Sequence, residues 1–423
     1  MTGATSAESA APARRWRAVI AASIGNALEW FDFVVYGFFA VTMAKLFFPT
    51  GDETVSLLLT LATFGVPFFM RPLGAVMLGS YADRHGRKAT LTLTIALMMA
   101  GTAVIALAPT YASVGLLAPM LVLAARLLQG FSAGGEFGSA TAFLAEQNPP
   151  QRGFFASWQF ASQGVTTILA TGFGAVLAAT LTAEQMESWG WRLPFIFGLL
   201  IGPVAWYIRR HTDETIEFSA TPTSASPLRE ALSDGKTRLS IAFGGVVLST
   251  VAMYTILFMP TYATRQLGLA ASGSFIAGLL TGTIQLLLIP VFGLLSDRYG
   301  RTPIGLAAAA ATLLAIYPMF AWLAASPTLQ TLLMVQAIMG VLSAAYMGPL
   351  PALMSELFPT RLRTTGLSIS YSFGVAIFGG FAPFINAWLI KVTDSNLAPS
   401  FYLMLAAVIS LAALIAARRI DCK

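Results

Sequence analysis

Gly79–Lys88 reads GSYADRHGRK, and Gly293–Thr302 reads GLLSDRYGRT. Asp83 and Asp297 stand 214 positions apart, about half of a 423-residue chain. A charged turn that recurs at a half-chain interval, each time between long apolar runs, marks a duplicated membrane protein. The repeat extends further. Gly130 and Gly340 are 210 apart, as are Glu146 and Glu356, and each glutamate ends an apolar run that arginines follow: Arg152 in one half, Arg361 and Arg363 in the other.

Composition points the same way. Hydrophobic residues make up 56% and charged residues 10%, against roughly 45–50% and about 25% in soluble domains. A helix needs about 20 apolar residues to cross a bilayer. Runs of that kind fall near 17–44, 55–81, 89–108, 114–145, 152–180 and 190–208, then near 238–265, 272–296, 303–324, 328–356, 361–391 and 398–417. The predicted fold is an all-α integral membrane protein with twelve transmembrane helices in two six-helix, pseudo-symmetric halves. Its parts are a disordered tail (1–16), an amino-terminal bundle (17–208), a polar linker (209–237), a carboxyl-terminal bundle (238–417) and a short tail (418–423). Arg14, Arg15 and Arg17 precede the first run, and Glu29 and Asp32 interrupt it, so it reads as a first helix rather than a signal peptide.

Lysine and arginine set the orientation. Placing both termini and both loops in the cytoplasm puts 19 basic residues inside and 4 outside (Lys45, Arg192, Arg265 and Lys391), with Arg71 and Arg126 inside spans. The net charge of +6 is spread over short loops, which argues against a nucleic-acid partner. One cysteine, Cys422, and two histidines, His85 and His211, exclude an internal disulfide and a Cys/His metal cluster. The chain contains no Gly-x-x-x-x-Gly-Lys-Ser/Thr stretch, so a nucleotide is not the expected energy source. No cofactor is expected; a proton gradient is the expected drive, with sodium left open.

Charges within a bilayer are costly, about 2.5–3.5 kcal/mol each at the centre on insertion scales, and so need partners or water. Five occur here, all in the first half: Glu29, Asp32, Arg71, Arg126 and Glu136. Helical geometry puts Asn26, Glu29, Asp32 and Tyr36 on one face, and Arg126, Gln129, Ala133 and Glu136 on another. In the fifth span Gln159, Ser162, Gln163, Thr166 and Thr167 form a neutral polar stripe. These stripes are expected to line one central cavity. Three acids against two arginines leave at least one acid without a full partner, as a proton-coupling group requires. Asp32 and Glu136 lead, with Glu29 third; the alternative is that each acid pairs an arginine and fixes packing. Arg126 and Arg71 are the candidate anion binders, since a guanidinium holds a carboxylate with two parallel bonds. Asn26, Gln159, Gln163, Tyr254 and Tyr371 are candidate substrate contacts, with Gln285, Tyr346 and Asn386 also considered. Pro260, Pro290 and Pro383 are expected to kink their helices.

The Asp-Arg-x-Gly-Arg loop and its echo, with Arg126-Leu-Leu-Gln129-Gly130, resemble motifs of the major facilitator superfamily. Four stretches resemble its metabolite–proton symporter family: Gly25-Asn26-Ala-Leu-Glu29-Trp-Phe-Asp32-Phe, Met70-Arg71-Pro72-Leu-Gly74, Gly130-Phe-Ser-Ala-Gly134-Gly135-Glu136-Phe-Gly138 and Trp189-Gly190-Trp191-Arg192-Leu-Pro194-Phe. Thr365-Gly366-Leu-Ser368 and Ala376-Ile-Phe-Gly-Gly380 look most like the citrate and tricarballylate branch. The resemblance implies the major facilitator fold, a monomer in a bacterial inner membrane, and proton-coupled uptake of a small organic anion by alternating access. It also implies a gating role for Asp83 and Arg87 and for their echoes Asp297 and Arg301. The fifth span lacks the Gly-Pro motif of drug antiporters, which favours symport. Relatives that carry 2-oxoglutarate, shikimate, or proline and betaine supply the alternative substrates. Osmosensing relatives extend into a coiled coil, whereas this sequence ends at Lys423, an expectation against that role. A non-transporting metabolite sensor is the competing class.

Overall fold

The computed structural model describes residues 12–85, 87–133, 136–210 and 235–420; within these, the side chains of 12–15, 17, 18, 21, 28, 76, 79, 80, 82–91, 136, 139, 149, 201, 204–210 and 361 lie outside that description. The side chains of the candidate residues Asp83, Arg87 and Glu136, the linker from 211 to 234, and the tail residues 1–11 and 421–423 are therefore outside the described residues.

Twelve spans follow in order. In the amino half α1 runs Pro12–Phe38 and turns by 65° into Ala40–Phe47. α2 is Glu53–His85, α3 Arg87–Leu107, α4 Leu117–Ser132 continued by Glu136–Glu146, α5 Arg152–Thr180 and α6 Arg192–Arg210. In the carboxyl half α7 is Lys236–Arg265, α8 Ala271–Tyr299, α9 Arg301–Ala325, and α10 Leu329–Met347 continued by Leu350–Leu357. α11 joins Thr360–Gly374 to Ala382–Thr393 through a π turn at Val375–Gly379, and α12 is Ala398–Arg418. Eight described helices are individually long and apolar enough to cross a bilayer, nine with the bent α1, and α3, α4 and α6 complete six and six. Leu107, Met120, Leu200, Leu287 and Leu314 stay exposed on the outside, the surface that lipid rather than water covers.

The breaks follow proline and glycine only in part. Pro349 starts the second segment of α10, and Pro383 lies at the first turn after the break in α11, where its missing N–H costs nothing. Pro260 and Pro290, expected to kink, lie inside helices that run unbroken. Gly300, in the second charged loop, has φ 93°, a conformation that glycine adopts without a side-chain penalty, and it lets α8 hand over to α9 in one residue.

Among the contacts that join the halves are two close seams. α5 lies along α8 with backbone against backbone: a Cβ at Gly164 would stand 2.8 Å from the Gly282 carbonyl, and one at Gly282 would stand 3.0 Å from that of Gly164. Small residues permit this approach. α2 meets α11 through the Phe69 and Phe381 rings, 5.2 Å apart. The ends of the molecule are hereafter the basic end, where the two charged loops lie, and the far end, which holds Lys45, Asp52 and Lys391.

Candidate substrate and proton site

Between the halves lies a small cavity lined by Asn26, Glu29, Trp30 and Arg71 of the amino half, Ala133 and Phe137 near the break in α4, and Ser368, Tyr371 and Ser372 of α11. The Phe137 and Tyr371 rings stack across the halves at 3.4 Å and 3°. From that stack the helices run about 12–14 Å further toward the basic end, where Arg363 Nη1 meets Glu146 Oε1 at 2.8 Å, again across the halves. At the same end the Asp297 carboxylate crosses from α8 to the first turn of α5, accepting from Gly153 N–H at 2.8 Å and Phe154 N–H at 2.9 Å. An anion at a helix amino terminus satisfies orphan amides and opposes the positive end of the helix dipole. Arg301 holds Asp297 at 2.6 Å and Glu356 at 3.3 Å, so it pairs acids within its own half, and Arg363 makes the ion pair across. Among the described residues, buried charge in the carboxyl half is thus found at this end, where Arg301 and Arg363 are both under 10% exposed.

The far end also carries ion pairs between the halves. Lys391 reaches Asp52 at 2.9 Å and Arg265 reaches Glu53 at 2.7 Å, both across the halves and both partly open to solvent. Contacts between the halves are thus present at both ends.

Two guanidiniums sit near the centre. That of Arg71 lies over the rings of Trp30 (4.6 Å), Phe68 (4.8 Å) and Phe33 (5.1 Å). That of Arg126 lies 4.8 Å from the Tyr36 ring and 5.1 Å from Phe33, so the Phe33 ring serves both cations. Arg126 is fully buried and donates to Gln129 Oε1 at 3.0 Å and to the Phe64 carbonyl at 3.2 Å, both neutral acceptors. Its Nε, and the hydroxyls of Tyr36 and Tyr254, are buried without a partner among the described residues.

The expected shared face of α1 divides. Asn26 turns to α5, donating to Ser162 Oγ at 2.7 Å and the Gln159 carbonyl at 3.1 Å, while Gln159 Nε2 returns a bond to Asn26 Oδ1 at 3.0 Å. Thr166 donates to the Ala27 carbonyl at 2.8 Å. The polar stripe of α5 therefore binds α1 rather than lining the cavity, because a dry helix contact rewards each polar group that finds a neighbour. Thr167 and Gln163 are the exceptions: Thr167 donates to the Gln163 carbonyl of its own helix at 3.0 Å and packs against Gly282 of α8, and the Gln163 amide is buried beside Tyr371, with no other partner among the described residues. Glu29 does line the cavity. Asp32 points to α3 and α6, where Thr102 Oγ1 donates to its Oδ2 at 2.7 Å; its Oδ1 has no partner and faces Gly198, where any Cβ would collide with it. The sequence reading missed Thr102, a lone threonine in an apolar helix.

In the carboxyl half, Gln285 donates to Ser343 at 3.1 Å and Tyr346 to the Gly245 carbonyl at 2.7 Å, so both hold helices together. Asn386 donates to Thr255 at 3.1 Å. A second cavity lies wholly within this half, among Leu248, Ile256, Ile316, Met339 and Leu403, and its lining is almost entirely apolar.

A family model described as "Sugar (and other) transporter" matches residues 18–238, and one described as "Major Facilitator Superfamily" matches residues 241–421. The chain is 38% identical over 401 residues to the citrate-proton symporter of Klebsiella pneumoniae, covering 94% of this chain and 90% of that one. It is 36% identical over 411 residues to the glycine betaine/proline/ectoine/pipecolic acid transporter of Dickeya dadantii, covering 93% and 81%. Among solved structures, a D-xylose-proton symporter superposes with a TM-score of 0.71 at 17% identity, covering 93% of this chain and 97% of that one, a likeness of fold.

Proposed function

We propose, from the premise that this chain belongs to the major facilitator superfamily and to its proton-coupled symporters, that it takes up a small di- or tricarboxylate such as citrate together with protons. The observation that carries the substrate class is Arg126, a wholly buried cation bonded to neutral acceptors, with Nε and two tyrosine hydroxyls unpartnered around it. A charge left in that condition is costly, and an anionic ligand offsets it. Arg71, on the other side of Phe33, gives a second carboxylate a partner. Asp32 is the proton site: it is buried, its Oδ2 shares a hydrogen bond with Thr102 Oγ1, and its Oδ1 has no partner among the described residues.

In this scheme the two halves rock about the central site. Asp297 and the Arg363–Glu146 pair hold the basic end shut, and Asp52–Lys391 and Glu53–Arg265 hold the far end. The basic end is the cytoplasmic one in a bacterial inner membrane, and the far end admits substrate.

The similarity to a betaine and proline transporter supports a second reading, a zwitterionic substrate. The aromatic faces that would suit its quaternary ammonium are those of Trp30, Phe33 and Phe68, and the Arg71 guanidinium already lies over them, which favours the carboxylate. The test is proteoliposome uptake of labelled citrate, with and without an inward proton gradient, in competition with tricarballylate, 2-oxoglutarate, shikimate and betaine. Citrate is expected to accumulate only with the gradient and to yield most to tricarballylate; displacement by betaine alone would favour the zwitterion. Asp32→Asn is expected to abolish gradient-driven accumulation and to spare citrate exchange. Intact accumulation in that variant would remove Asp32 from the proton path.

A further inference from the structure

Asp32 and Arg126 are joined by a chain of three hydrogen bonds, all running one way. Arg126 Nη1 donates to Gln129 Oε1 at 3.0 Å, Gln129 Nε2 donates to Thr102 Oγ1 at 3.0 Å, and Thr102 Oγ1 donates to Asp32 Oδ2 at 2.7 Å. Arg126, Gln129 and Thr102 are 0% exposed and Asp32 is 6% exposed, so no step of the chain is open to solvent.

Chemistry fixes the directions. A guanidinium has donors only, so Gln129 must turn its oxygen to Arg126 and its NH₂ to Thr102. Thr102 Oγ1 therefore accepts from Gln129, and its single hydrogen has two destinations: Asp32 Oδ2 at 2.7 Å, or the Met98 carbonyl at 3.1 Å.

We propose that Thr102 and Gln129 are positioning residues that tie the proton on Asp32 to the anion site at Arg126, with the Thr102 hydroxyl as a two-position switch. This rests on the reading of Asp32 as the proton site. When Asp32 is ionised it only accepts, and the Thr102 hydrogen points at it. When a proton joins Oδ2, the new carboxyl O–H donates to Thr102 Oγ1, and the Thr102 hydrogen turns to the Met98 carbonyl. Oγ1 then accepts from Asp32 and Gln129 together, within the capacity of its two lone pairs. No bond breaks other than hydrogen bonds, and every member of the relay keeps a partner in both states.

The consequence is an order of events. With Asp32 ionised, its charge reaches Arg126 through the relay and competes with an arriving carboxylate. With Asp32 protonated, Arg126 is left as an uncompensated cation, and the anion binds. The groups around Asp32 suit this reading. The Arg126 cation of α4 is the charged group acting on it; α3 offers Thr102 and α6 offers Gly198. On its own helix Glu29 and Tyr36 lie about one turn to either side. Arg71 of α2 and Tyr254 of α7 act on Arg126 from beyond. Along α5, which packs on α1, the ionisable side chain is Arg152 at the basic end.

The test compares the pH profile of labelled-citrate uptake for wild type, Thr102→Val, Thr102→Ser and Asp32→Asn. Valine keeps the shape of threonine and removes the hydroxyl. It takes one hydrogen bond from the ionised acid, so the pH of half-maximal uptake is expected to move up by about one unit, a tenfold change in proton concentration. The half-saturating citrate concentration, read at each variant's own optimum, should change less than twofold. Serine restores the hydroxyl and the wild-type profile. If Thr102→Val fails to reach the membrane, Thr102→Ala is read in its place. A wild-type profile in Thr102→Val or Thr102→Ala, with gradient-driven accumulation lost in Asp32→Asn, overturns the relay and leaves the proton site standing. Accumulation that survives in Asp32→Asn overturns the proton site itself.

Discussion

Arg126 and Gln336 hold the same place in the two repeats, 210 residues apart, four positions before Gly130 and Gly340. Arg71 and Gln285 are 214 apart, the spacing of the two charged loops. The amino half has a cation at each place and the carboxyl half an amide. The amides bond within their own bundle: Gln285 donates to Ser343, and Gln336 Oε1 accepts from Thr281 at 3.2 Å, both between α8 and α10, while Gln336 Nε2 has no partner among the described residues. The arginines are placed differently. Arg126 spends two donors on neutral acceptors, and Arg71 lies against aromatic faces. Duplication therefore gave two similar scaffolds, one with neutral amides at these places, bonded within its own bundle, and the other with buried cations there.

The sharpest way to break this comparison is to make the halves alike. Arg126→Gln should lower the uptake efficiency for citrate by about a hundredfold or more, the effect of losing a charged hydrogen-bonding partner worth about 1.5–3 kcal/mol per bond. Gln336→Leu should change it less than twofold, because that amide serves packing. Equal losses in the two variants, measured by initial uptake rates over a range of citrate concentrations, would mean that both places contact substrate and that the division of labour is wrong.

How far the sequence carried depended on the kind of signal. The repeat of the charged loop and the spacing of apolar runs gave twelve spans in two halves, because a bilayer demands about 20 apolar residues per crossing whatever the neighbours are. The central arginines and Asp32 were legible for a related reason: a charge in an apolar run stands out. Neutral polar residues were not legible to the same degree. Gln159 and Gln163 lie one turn apart on α5, yet the first is bonded to Asn26 of α1 and the second faces Tyr371 of α11. Periodicity assigns a face, but only packing decides which neighbour that face meets. Thr102 shows the same limit, since nothing in its local sequence tells that Asp32 and Gln129 converge on it.

A second contrast lies within the carboxyl half. Its buried charge is at the basic end, where Asp297 caps α5 across the halves and its side chain is only 7% exposed. If that contact is a latch rather than a ligand site, Asp297→Asn should act on rate and leave affinity alone. Charge at a helix amino terminus is worth about 0.3–2 kcal/mol, so the maximal uptake rate should fall between about twofold and thirtyfold, while half-saturating citrate moves less than twofold. An affinity loss with a normal maximal rate would make Asp297 part of the binding machinery and bring chemistry into the half described here as scaffold.

The far end should matter least, and pH shows why. Asp52 takes a hydrogen bond from Lys391 and two from the Val55 and Thr54 amides, and these, Lys391 foremost, hold its carboxyl at about 2, below the usual 3.8. A carboxyl lowered on folding contributes fully above its unfolded value and loses that contribution as pH falls through the folded one. Between about pH 5 and 8 the contribution of Asp52 is therefore constant, and this pair cannot shape the pH profile of uptake. It is also exposed, with 40% of the Lys391 side chain and 51% of that of Asp52 open to solvent, and such pairs are weak and screened by salt. Lys391→Gln should thus alter the maximal rate less than about twofold, leave the pH profile in place, and matter less still at high salt. A displaced profile in Lys391→Gln would put a proton-sensitive step at the far end. The contrast would then lie between the two ends of the molecule as much as between its two halves, and Asp32 would have to share proton control with the outer latch.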